Sequence, residues 1–75
     1  MRSRIERPDL LGKPLGNGEV NILSLASQGH SYAEIADMRG TCYQTVNNQM
    51  AVIFRKLDAR NITHAIAIAR DKGLV

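Results

Sequence analysis

Between Thr41 and Leu57 the chain carries two interleaved periodicities. Val46, Met50, Ile53 and Leu57 recur at i, i+4, i+7 and i+11, the spacing that lines one face of an α-helix. Gln44, Asn47, Asn48, Ala51 and Arg55 keep the same spacing on another face. A solvated helix face is usually coated with Glu and Lys. This one is built of side-chain amides around a small residue, with an arginine at its far end. Amides present a donor beside an acceptor, the pattern that matches the major-groove edge of adenine. A small residue lets a helix approach closely. The stretch predicts a helix held by its apolar side and free to read a DNA groove with its amide side; the competing reading is a plain solvated face.

What surrounds that helix must be small. Seventy-five residues make one domain. A chain of this size buries a modest share of its surface and is either marginal alone or stabilised by a partner. The single cysteine, Cys42, excludes an internal disulfide, and no Cys/His cluster suggests a structural metal. Helix packing, including packing across a dimer interface, is therefore expected to supply the stability. A lone thiol fits a reducing, cytosolic setting. No apolar run is long enough to span a membrane, and no charged-then-apolar signal segment opens the chain. A soluble, cytoplasmic protein without a membrane partner is expected.

Charge supports the same helix. The formal net charge is +3. Residues 15–38 contain Glu19, Glu34 and Asp37 and no Lys or Arg, whereas residues 39–60 hold Arg39, Arg55, Lys56 and Arg60 against Asp58 alone. Positive charge thus gathers on and around the amide-bearing helix, as a phosphate-facing surface requires.

Residues 1–14 carry Arg2, Arg4, Arg7 and Lys13, broken by Pro8 and Pro14, without a sustained apolar period. They read as a flexible basic arm, either one that reaches a minor groove or a tail with no role. The domain proper is expected over residues 15–75. Gly16 or Asn17 caps a first helix whose apolar face is Ile22, Leu23, Leu25 and Ala26, and Gly29 ends it. Ser31 with Glu34 forms a capping box for a short second helix, Tyr32 to about Met38, that turns Ile35 and Ala36 inward. Arg39-Gly40-Thr41-Cys42 is the turn, and a longer helix with a polar outer face follows. That succession makes a helix-turn-helix.

Asn61 caps a fourth helix from Ile62 to about Lys72, terminated by Gly73. Its apolar set, Ile62, Ala65, Ile66, Ile68 and Ala69, is wider than one core-facing stripe needs. Each extra buried isoleucine contributes ~1.5–3 kcal/mol, so an exposed stripe invites a partner, most simply the same helix of a second copy. The bland alternative leaves Ile68 alone exposed.

From Leu15 to Val75 the chain resembles the LuxR/GerE-type DNA-binding domain in its stand-alone, GerE-like form. The resemblance rests on Leu15 with Glu19 and Ile22-Leu23, Gly29-x-Ser31-x-x-Glu34-Ile35-Ala36, Gly40, Thr45-Val46, Ile53 with Lys56-Leu57, Arg60-Asn61-x-Thr63-x-Ala65 and the closing Gly73-Leu74-Val75. These pieces stand in the family's order and spacing and cover about four fifths of the chain. The resemblance implies an all-α domain of four helices with a central helix-turn-helix, the third helix in the major groove and dimerisation through the fourth. It also implies that Thr45, Lys56 and the start of the third helix meet phosphates or bases.

The chain departs from the family pattern at several points. Gly16 and Asn17 replace a threonine and proline, and Gly18 a basic residue, which softens the start of the first helix. Arg39 and Thr41 stand where aliphatic residues are usual, and Met38 is expected to fill part of that core space. Cys42 replaces a capping serine, Asn47 a basic residue and Gln49 a histidine. The reading face is more amide-rich and less cationic than in the family, so the family's base preference does not carry over. No room exists within residues 1–14 for a receiver or sensor domain; in a complete chain, activity is set by abundance, dimerisation or another protein.

Tyr43, Gln44, Thr45, Asn47, Asn48, Ala51, Arg55, Lys56 and Arg60 are the expected DNA-binding residues. Gln44, Asn47 and Asn48 choose bases, and Thr45, Arg55, Lys56 and Arg60 hold the backbone. Tyr43 either contacts a phosphate or covers the core. Ile62, Ile66, Ile68 and Ala69 are the expected dimer interface. Cys42 reads as a packing residue, or less often as a redox sensor. His30 and His64 read as surface or cap residues with no partnered acid nearby. No nucleophile–base pairing, glycine-rich phosphate loop or paired carboxylates exist, so no enzyme, metal, cofactor or small-molecule ligand is expected. The function expected is a dimeric, sequence-specific transcription regulator. The alternatives are a module forming mixed dimers with a longer family member, and a sigma-factor-like domain contacting RNA polymerase.

Overall fold

The computed structural model describes residues 10–75. Four helices follow one another, α1 (Asn17–Ser27), α2 (Tyr32–Met38), α3 (Tyr43–Leu57) and α4 (Ile62–Asp71), and no strand occurs among the described residues. The fold is all-α with a central helix-turn-helix formed by α2 and α3. α3 packs against each of the other three helices.

Local chemistry sets the helix ends. Gly16 is the N-cap of α1, and its N–H donates to Glu19 Oε1 at 2.9 Å. Gly29 closes α1 at φ 98°, a left-handed conformation that L side chains rarely adopt. The capping box of α2 is complete: Glu34 N–H donates to Ser31 Oγ at 3.1 Å, and Ser31 N–H donates to Glu34 Oε1 at 2.9 Å. Gly40, at φ 70°, makes the turn, and Thr41 N–H donates back to Ala36 O at 2.8 Å. α3 ends at Asp58, whose φ of 55° is also left-handed, after which Ala59 N–H bonds Phe54 O at 2.8 Å. Asn61 caps α4 by accepting from His64 N–H at 2.9 Å.

The core is one cluster. Ile22 and Leu23 of α1, Ile35 of α2, and Val46, Met50 and Ile53 of α3 are essentially inaccessible. Ala36, Ala59, Ala65 and Ala69 complete it. Leu57, the last member of the predicted stripe, is half-buried against this cluster.

Several expectations are corrected. Within the segment read as an arm, residues 10–12 form a turn beside the end of α3: Gly12 N–H donates to Lys56 O at 3.0 Å, and Lys13 N–H to Leu10 O at 3.0 Å. The remainder of that arm, residues 1–9, lies outside the described residues. Met38 fills no core space; it is 54% exposed, because it ends the outward side of a two-turn helix. Ala69, assigned to the dimer surface, is wholly buried in the chain's own core. Ile62, Ile66 and Ile68 are half-buried against the same cluster, so the free stripe of α4 is narrower than its periodicity implies.

Candidate nucleic-acid interface

The helix that supplies the largest share of the core, with Val46, Met50 and Ile53, also supplies the polar face. With Val46, Met50 and Ile53 turned fully inward, Gln44, Asn47 and Asn48 stand exposed on the other side of α3. Ala51 follows one turn later, half-buried. Gln44 Nε2 donates to Asn48 Oδ1 at 3.0 Å, so two of the three amides are already joined. Gln49 turns partly inward, with its Oε1 shielded from solvent.

The start of α3 is a small polar cluster. Cys42, its N-cap residue, is exposed, and its Sγ lies 3.3 Å from Thr45 Oγ1. The Thr45 hydroxyl and then the Thr45 backbone N–H favour the thiolate and hold the Cys42 thiol below its usual range. Thr45 itself is half-buried. Tyr43 does not cover the core: it is 55% exposed, with its ring 6.0 Å from that of Tyr32 and tilted by 44°. Arg39, in the turn before α3, lies at the surface and donates to the Asn21 side chain of α1.

The cations at the far end of α3 have unlike settings. Arg60 is exposed, and its backbone N–H donates to His64 Nδ1 at 3.1 Å. Arg55 is half-buried, with Nη1 3.4 Å from Ala51 O. A shallow cleft of about 210 Å³ lies between them, lined by Ala51, Phe54, Arg55, Ala59 and Arg60. Lys56, expected to hold a phosphate, points instead to α1. Its Nζ lies 2.7 Å from Glu19 Oε1 and 3.3 Å from Pro14 O, and both ionic side chains are largely removed from solvent. Glu19 thus joins the first turn of α1 to the last turn of α3.

This clasp joins residues 37 positions apart, and sequence reasoning missed it. A weak signal existed: Lys56 lies three residues beyond Ile53, at the border of the apolar stripe, where an ammonium needs an anion. His30 is also corrected, since its Nδ1 lies 3.6 Å from Glu34 Oε1, one helical turn away. Among the described residues no group of three or more His, Cys, Asp or Glu gathers as metal ligands would. No helix among them is long and apolar enough to cross a membrane.

The geometry is a helix-turn-helix with a second helix buried on one side and amide-bearing on the other. Comparison with known proteins agrees. Residues 13–69 match the family described as bacterial regulatory proteins, luxR family. The chain is 45% identical over 60 residues to the response regulator RamR of Streptomyces coelicolor, covering 80% of this chain and 30% of that protein. It is 32% identical over 76 residues to the transcriptional regulatory protein DesR of Bacillus subtilis, covering 93% of this chain and 38% of that one. The chain therefore spans well under half the length of either relative. No solved structure matches it at a significant level. With the family matched across both helices of the motif and the α4 seat, the chain belongs to the luxR family of bacterial regulatory proteins, as a helix-turn-helix DNA-binding domain of transcription regulation.

Proposed function

We propose that this domain is a sequence-specific transcription regulator that acts in the cytoplasm as a homodimer, with α3 lying in the major groove. One observation carries the reading: the exposed amides of Gln44, Asn47 and Asn48 stand on a helix whose opposite side is locked in the core. A rigid helix can hold a base-reading side chain in register, and amides meet base edges with paired hydrogen bonds. Ala51 allows close approach of the groove wall. Tyr43, Thr45, Arg55 and Arg60 surround that face and would hold phosphates. Lys56 would serve indirectly, by fixing the end of α3 against α1.

Dimerisation would use the half-buried isoleucines of α4, Ile62, Ile66 and Ile68. Two copies would set two α3 helices in successive major grooves ~34 Å apart, reading half-sites ~10 bp apart. Selection of bound sequences from random DNA, with stoichiometry measured on the enriched site, tests this. An inverted repeat bound by two chains is the expected outcome, and no enrichment even at low salt refutes it. Poor DNA binding by the chain alone, with association only in the presence of a longer luxR-family protein, would replace the homodimer with a mixed dimer. Asn47→Ala is expected to cost ~1–3 kcal/mol at one base position while sparing non-specific binding. Equal loss on every sequence would remove Asn47 from base reading.

A further inference from the structure

We infer that Gln44 and Asn48 work as a single reading unit that favours adenine over guanine at one base position; this rests on the DNA-reading role proposed above. The two residues are one helical turn apart, both are exposed, and Gln44 Nε2 donates to Asn48 Oδ1 at 3.0 Å. A carboxamide has two N–H donors and an oxygen with two acceptor sites. The bond uses one donor of Gln44 and one acceptor site of Asn48. Gln44 Oε1 remains as an acceptor, and the Asn48 NH₂ group remains as a donor. The opposite orientation, with Asn48 donating, leaves the same complement with the roles exchanged.

That complement is selective. Adenine presents N7, an acceptor, beside the N6 amino donor, whereas guanine presents two acceptors, N7 and O6. An unconstrained glutamine can turn its amide to offer only N–H groups to guanine. A glutamine tied to Asn48 keeps its oxygen beside the donor of its partner, and an oxygen placed against guanine O6 is repulsive. The bond also orders both side chains before DNA arrives, so less freedom is lost on docking. Asn47, one residue away on the same side, lies outside this bond and reads separately.

The test is selection from random DNA with the full chain and its Gln44→Ala, Asn48→Ala, doubly substituted and Asn48→Asp variants. Melting curves confirm that these surface changes leave the fold intact. Wild-type protein is expected to enrich adenine at one position of each half-site. Both single alanine variants should relax that same position by roughly ten- to a hundredfold, and the double variant should be no worse than the worse single. Asn48→Asp keeps the acceptor for Gln44 but removes the outward donor, so it should lose adenine at the same position. Enrichment of guanine there, single variants relaxing two different positions, or losses that multiply in the double variant would overturn the unit while leaving DNA reading intact. No wild-type enrichment at all would overturn the DNA-reading role and this inference with it.

Discussion

Replacing Lys56 by methionine separates its two possible roles. The stem keeps its apolar contacts, and only the ammonium is lost. In the folded chain that ammonium lies 2.7 Å from Glu19 Oε1, with the two side chains 16% and 20% exposed. At this distance and an effective dielectric of ~20, the raw attraction is ~6 kcal/mol, and the cost of desolvating both ions offsets most of it. Exposed pairs contribute ~0.2–1 kcal/mol, and removing one member of a fully buried pair costs ~3–5 kcal/mol. The observed burial lies between these cases. The Gly16 N–H remains to satisfy Glu19 after substitution. A loss of about 1.5–2.5 kcal/mol is therefore expected.

For a domain of this size such a loss lowers Tm by roughly 6–20 °C. Pairing Lys56→Met with Glu19→Gln should recover part of it, since the neutral amide leaves no uncompensated carboxylate. The assay is a double-mutant cycle by urea or thermal unfolding, run beside the salt dependence of non-specific DNA binding. The slope of log K against log salt should be unchanged in Lys56→Met. An unchanged Tm together with a slope reduced by ~0.9 would refute the reasoning, because it would show the ammonium on a phosphate rather than on Glu19.

Other outcomes follow from local geometry. Gly40→Ala should cost about 1–2 kcal/mol in unfolding experiments, because the turn between α2 and α3 holds φ at 70° and nothing crowds the added methyl. The Ser31 N–H, and secondarily His30, bind the charged form of Glu34, so its carboxyl ionises below its usual range when folded. Its contribution to stability is complete above the ordinary carboxylate range and is lost as pH falls through the lowered folded pKa; Glu34→Gln should flatten that part of the acid-unfolding profile. The rate of Cys42 alkylation should rise with pH earlier than for an ordinary thiol, and Thr45→Val should shift the profile upward; identical profiles would remove the Thr45 hydroxyl as the cause.

Helix order and most helix ends were legible because their causes are local. The Ser31–Glu34 box, the Asn61 cap and Gly29 each act within a few residues, and each stands where the pattern places it. The two faces of α3 were legible for the same reason, since period alone separates Val46, Met50 and Ile53 from Gln44, Asn47 and Asn48. What escaped depends on how helices sit against one another. Lys56 looked like a phosphate ligand by type and position, and only the approach of α1 to the end of α3 reveals Glu19 beside it. Met38 and Ala69 failed in opposite directions. An apolar residue at the end of a short helix found no wall to pack on, and an alanine on a presumed outer stripe lies on the core-facing side of α4. The turn at residues 10–12 escaped because its fastening is a backbone bond to Lys56, to which no side-chain pattern points.

The two buried alanines of α4 carry a mechanical consequence. Ala65 and Ala69 meet the core with methyl groups, which have no rotamers to adjust. The innermost seat of α4 is thus set by backbone approach, while the half-buried Ile62, Ile66 and Ile68 pack around it. In the dimer proposed above, the offset between the two α3 helices becomes a nearly rigid quantity. One base pair inserted between half-sites rotates the second by ~34–36° and moves it ~3.4 Å along the duplex. In that proposed dimer, a stiff α4 seat would leave part of the error to be absorbed by bending the DNA, and operator spacing would be read along with operator sequence.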